Sequence, residues 1–127
     1  MKTFNEEQLE NAVTLISSTI TKCKKMQVKF VEGTSQHSLL KNRIKALCIS
    51  KALILGDKTD TTIAYTNKDL REALPPVVSI INKTTKAQSK YEQGTSQFNR
   101  HEPIIQAMLI AKEFIESEIS NNEVNHS

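Results

Sequence analysis

The chain has 127 residues, of which 38% are hydrophobic, 24% charged and 5% aromatic, with three Gly, three Pro and no Trp. So few turn formers exclude an all-β sandwich or barrel, and the same counts exclude collagen-like, low-complexity and disulfide-scaffold classes. Seventeen Lys and Arg against fourteen Asp and Glu leave a net charge of +3, too mild for a dedicated DNA-binding module, so any basic function has to come from local clustering.

The first predicted helix starts behind Asn5, whose side chain and that of Gln8 have the spacing of a capping pair. Leu9, Val13, Ile16, Ile20, Cys23, Gln27 and Phe30 then recur at alternating steps of four and three, one continuous seam on a helix, which places Phe30 in the core. Gly33 suits the left-handed residue behind a helix end, and the hydroxyls of Thr34 and Ser35 suit the N-cap of the next helix. That second helix is apolar on more than one face, through Leu39, Leu40, Ile44, Leu47, Ile49, Leu53 and Ile54, and belongs in an interior.

Its most apolar stretch, Ala46 to Leu55, contains Lys51 and falls far short of the roughly 20 residues that span a bilayer. The first residues hold no apolar run of signal-peptide type. Cys23 and Cys48 have neither metal-type nor redox spacing. The expectation is a reduced, cytoplasmic protein with two buried free thiols, no metal, no cofactor and no membrane partner.

The second half of the chain repeats the first. An offset of 61 carries Gly33-Thr34-Ser35-Gln36 onto Gly94-Thr95-Ser96-Gln97, and without a gap it aligns residues 4–55 with 65–116 at seventeen identities. Among them are Ala12/Ala73, Gln27/Gln88, Lys29/Lys90 and Ala46/Ala107. The third helix has Thr66 and Asp69 as its capping pair and the seam Leu70, Leu74, Val77, Ile81, Thr84, Gln88 and Tyr91. Pro75 and Pro76 fall inside it and should kink it or delay its start. Pro103 fits a first helical turn, so the fourth helix is expected to start near His101. Two matched hairpins predict an all-α protein, a single-domain four-helix bundle made of two duplicated αα-hairpins with internal pseudo-two-fold symmetry. Repeat 1 is 4–55, a linker 56–64, repeat 2 65–116 and a frayed tail 117–127.

The sharpest candidate for chemistry is the duplicated turn. Lys29, Thr34, Ser35 and Gln36, with Lys90, Thr95, Ser96 and Gln97, bring a cation, hydroxyls and a helix N-terminus together, a setting for a phosphate or carboxylate. The competing reading is that Gly and the hydroxyls only build the turn while the lysines complement a helix dipole. Lys22 and Lys25, with their copies Lys83 and Lys86, form basic stripes that nucleic acid could use. Gln27 and Gln88 occupy seam positions where an amide needs partners and can fix register. Lys51 and Lys112 should reach the surface along their stems. No triad, P-loop, dinucleotide fingerprint or metal grouping is present, so no catalytic residue is assigned.

The segments Lys41-Asn42-Arg43-Ile44-Lys45-Ala46-Leu47 and 73–83, joined to the duplicated GTSQ turn, resemble small proteins of low-GC Gram-positive bacteria built from a tandem two-helix repeat. That resemblance implies a bacterial cytosolic setting and transfers no functional residues. His37/Phe98 and Arg43/Ile104 differ between the copies, which argues against a symmetric two-site mechanism using them. The expectation is a non-enzymatic helical interaction protein that self-associates or docks on a protein partner. The alternative is nucleic-acid or phosphate-ligand binding through the lysine stripes and GTSQ turns.

Overall fold

The computed structural model describes residues 3–59 and 65–125. Four helices follow in order: α1 (Glu6–Gln27), α2 (Ser35–Thr59), α3 (Asn67–Gln88) and α4 (Ser96–Asn125), with no strand among the described residues. The chain is an all-α four-helix bundle.

Each start is capped as its sequence dictates. Asn5 Oδ1 accepts from Gln8 N at 2.8 Å while Gln8 Oε1 accepts from Asn5 N at 2.9 Å, a closed capping box. Thr66 Oγ1 does the same for Asp69 N at 3.1 Å. Seven residues connect α1 to α2 and seven connect α3 to α4. In each connection a β-turn closes on a glycine with positive φ, 94° at Gly33 and 91° at Gly94, a conformation that costs any Cβ-bearing residue energy. These glycines lie within the connection, several residues beyond the helix ends, rather than directly behind them as expected.

Two helices exceed their expected extents. α4 starts at Ser96, a turn earlier than Pro103 suggested, because Thr95 caps it and leaves Pro103 as an exposed eighth residue. It also continues through 117–125, the stretch expected to be a tail. α2 runs on to Thr59, into the expected linker, while 60–64 and 126–127 lie outside the described residues. α3 is continuous across Pro75 and Pro76, and its start at Asn67 is not delayed. Without their N–H groups, the carbonyls of Arg71 and Glu72 lose their helical donors, a cost the tertiary packing of α3 overrides.

The core explains the contrast between the two kinds of helix. α1 and α3 each bury one stripe: Leu9, Ala12, Ile16, Ile20 and Cys23 on one, Leu70, Ala73, Val77, Ile80 and Gln88 on the other. α2 packs against α1, α3 and α4, and α4 against α3, α1 and α2, whereas α1 and α3 do not touch. A helix with three neighbours has no single polar face, which is why α2 and α4 read as apolar all round. Leu47, Ile54, Met108 and Ile115 are sealed from solvent at the centre. The seam ends earlier than its spacing suggested: Phe30 and Tyr91 stand 37% and 43% exposed, because α1 and α3 stop at Gln27 and Gln88 and the chain turns away.

Pro75 is exposed, so replacing it removes little packing while restoring a backbone donor. Pro75→Ala should raise the unfolding free energy by about 1–3 kcal/mol, measured by chemical denaturation.

Candidate functional site

The residues singled out from the sequence divide by location. Lys22, Lys25, Lys29, Lys83, Lys86 and Lys90 are all exposed. In the first turn Thr34 Oγ1 donates to Val31 O at 2.8 Å and accepts from His37 N at 3.3 Å. In the second, Thr95 Oγ1 donates to Glu92 O at 2.8 Å and accepts from Phe98 N at 3.3 Å. Ser35 and Ser96 each donate to the side-chain oxygen of the glutamine that follows, at 3.3 Å in both copies. The duplicated threonines thus work as N-caps, and the serines and glutamines pair with each other. The hydroxyl hydrogen bonds of these residues stay within their own turn and the first turn of the helix it starts.

Away from these turns, two grooves are lined by described residues. One, of about 650 Å³, runs between α2 and α3; the other, of about 550 Å³, between α1 and α4. Neither is lined by any of the lysines or GTSQ residues named above. The offset of 61 relates eight pairs of their lining residues: Ala46/Ala107, Ile49/Ile110, Ala73/Ala12, Lys45/Gln106, Asp69/Gln8, Glu72/Asn11, Asn42/Pro103 and Pro76/Leu15. The four alanines are buried and form the two floors. A methyl group on each facing helix leaves the space above it unfilled, and longer side chains rise on both sides.

The rims differ in chemistry. In the α2–α3 groove Lys45 Nζ reaches Asp69 Oδ1 at 3.4 Å, with Glu72 on the same wall. Such an exposed pair contributes little stability. The Thr66 side chain, with help from Lys45, holds the Asp69 carboxyl below its ordinary value. Beside it, burial pushes the Tyr65 hydroxyl up, and the neighbouring Cys48 and Asp69 add to that. The α1–α4 groove is instead lined by the amides of Gln8, Asn11, Asn99 and Gln106. Phe4, also on its lining, stacks on Phe114 with centroids 6.4 Å apart.

Glu102 joins this second groove to the seam. Gln88 Nε2 donates to Glu102 Oε2 at 2.8 Å and to Phe98 O at 3.2 Å, while Gln106 donates to Glu102 Oε1 at 2.9 Å. The buried amide therefore has both N–H groups satisfied, one by a charged acceptor. Hydrogen bonds from Gln88 first, and Gln106 second, hold the Glu102 carboxyl below its ordinary value. In the first hairpin Lys41 stands where Glu102 would be, and Gln27 is half-exposed. Sequence reasoning recognised Gln88 as polar in the seam but not Glu102 as its acceptor. The groove floors were visible only as the identities Ala12/Ala73 and Ala46/Ala107.

None of the remaining candidates lines either groove. Cys23 is buried, its thiol pushed up by burial against the opposing charge of Arg43; Cys48 is exposed, contrary to the expectation of two buried thiols. Its copy Leu109 is likewise 41% exposed, so this position faces outward in both repeats. The half-buried Arg43 has Nε and Nη2 sealed from solvent without a partner, and its copy Ile104 packs on the core. His37 is half-buried. His101 Nδ1 lies 2.7 Å from Gln97 O, so that nitrogen carries the proton, and the ring stacks on Tyr91. Lys51 and Lys112 are half-exposed. Among the described residues no group of three His, Cys, Asp or Glu could hold a metal ion. No protein family, curated protein or solved structure matches the chain.

Because Glu102 sits below its unfolded pKa when folded, it adds stability that is present above the unfolded value and lost as the pH falls through the folded one. Gln88→Leu should raise the Glu102 pKa toward the ordinary carboxylate value and shrink that acid-side loss, as read by NMR titration and by denaturation across pH 2–7, a window that takes in the ordinary glutamate value.

Proposed function

We propose that this protein is a non-enzymatic helical interaction protein that binds a protein partner, or a second copy of itself, through its interhelical grooves. The observation that supports this reading most is the recurrence of the groove at matching positions of the two repeats, with the same alanine floor and a different rim. An apolar floor below a polar rim is the usual make-up of a protein-binding surface. One rim carries Lys45, Asp69 and Glu72 and the other four side-chain amides, so the two grooves suit related but distinct segments.

The apolar excess of α2 and α4, which first suggested self-association, is mostly consumed inside the chain. Among the described residues the large apolar side chains they leave at the surface are Leu39, Leu55 and Leu109, each about two-fifths exposed, and Leu39 lines the α2–α3 groove. The approximate two-fold relation of the hairpins belongs to the same proposal. Exchanging the repeats exchanges the α1–α4 contact with the α2–α3 contact and one groove with the other.

Light scattering should detect a defined oligomer, or cross-linking from the native host a defined partner, at micromolar protein. Leu39→Arg and, separately, Asn11→Arg with Gln106→Arg change exposed rim residues and should weaken association by about tenfold or more without lowering the thermal midpoint. A strictly monomeric protein with no cross-linked partner, or association untouched by both sets of changes, contradicts the reading.

A further inference from the structure

The two interhelical turns share one backbone arrangement and present two different surfaces. Lys29 N donates to Met26 O, Phe30 N to Gln27 O and Thr34 N to Val31 O. The second turn repeats all three, from Lys90 N to Ala87 O, Tyr91 N to Gln88 O and Thr95 N to Glu92 O. The turn therefore does not need large apolar side chains at 26 and 31, since Ala87 and Glu92 accept the same bonds, and the copy of Val28 is Ser89, whose N donates to Thr85 O and whose Oγ donates to Lys86 O.

The first turn nevertheless carries Met26, Val28, Phe30 and Val31, with Val28 84% and Val31 76% exposed. Apolar residues gathered this closely on a surface mark a contact. Lys22, Lys24, Lys25 and Lys29 stand exposed among them, with Glu32 the one exposed acid of the turn itself. The patch sits on the connection at the end of a helical hairpin, outside both grooves. A protein partner would have to offer a matching cavity, whereas a fluid bilayer closes around an apolar tip. Apolar residues set among cations have the chemistry of docking on acidic lipid.

We propose that the first turn docks on the surface of an anionic bilayer. Val28 and Val31 enter the boundary between headgroups and acyl chains, and the surrounding lysines lie against acidic headgroups. The contact is peripheral, since no helix among the described residues is long and apolar enough to cross a membrane. This departs from the sequence expectation of no membrane partner, which had Phe30 inside the core. It is independent of the groove reading, because no residue from 22 to 32 lines either groove.

The chain has no Trp, so Val31→Trp and the matched Glu92→Trp place a single reporter in each turn. With phosphatidylserine-containing vesicles the Val31→Trp emission should shift to the blue, with phosphatidylcholine alone it should not, and the Glu92→Trp emission should shift with neither. In cosedimentation Val28→Ser with Val31→Ser should lose most vesicle binding at an unchanged thermal midpoint. Lys25→Gln and Lys29→Gln should each weaken binding roughly fivefold. Three outcomes overturn the proposal: no shift with either vesicle, equal shifts from the two reporters, or vesicle binding that survives Val28→Ser with Val31→Ser. In the last case, loss of that binding to soluble polyglutamate would assign the surface to an acidic protein instead.

Discussion

The structure depends on the coverage of α2 and α4. Each is apolar around most of its circumference, and a hairpin partner can cover only one side of it. Leu47 and Ile54 on α2, with Met108 and Ile115 on α4, are sealed only because the two hairpins meet. Burial of side chains of this size contributes roughly 1.5–3 kcal/mol each, which exceeds what caps and turns can supply. The amphipathic helices α1 and α3 then complete the cover without touching each other.

The grooves follow from that arrangement. Where α1 packs on α4 and where α2 packs on α3, buried alanines 61 residues apart in sequence line both grooves, and the space above them is left unfilled. The rims differ. An ion pair and a glutamate mark one groove; in the other, the glutamate on α4 binds two glutamine side chains. The two turns differ in the same manner. Three backbone hydrogen bonds are common to both turns, while the side chains at 26, 28 and 31 are apolar and large in one and small or acidic in the other. Within the retained GTSQ run the threonines act as helix caps and each serine pairs with the glutamine behind it.

Much of the fold was legible because its signals are local. The seam of α1, the capping pairs at Asn5 and Thr66, the positive-φ glycines and the all-round apolarity of α2 and α4 depend on neighbours within a few residues. Helix extents were less legible. Pro103 looked like a first-turn residue, but Thr95 supplies a cap eight residues earlier, and Pro75 with Pro76 sit in a helix that packing holds together despite two lost donors. The site was hardly legible, since a groove belongs to residues far apart in sequence. Nothing local announces that Gln88 and Glu102 meet, that Ala46 faces Ala73, or that Cys48 points outward while Cys23 does not. Repetition of GTSQ drew attention to the turns, and the hydrogen bonds of Thr34 and Thr95 there are those of helix caps.

The central claim is that the two hairpins form one cooperative unit through the shared burial of α2 and α4. Native-state amide hydrogen exchange tests it directly, comparing Leu47 and Ile54 in the first repeat with Met108 and Ile115 in the second. One cooperative unit predicts that all four exchange through the same opening, at a free energy equal to that of global unfolding. Exchange of one hairpin at a distinctly lower free energy, with the other still protected, would contradict the account.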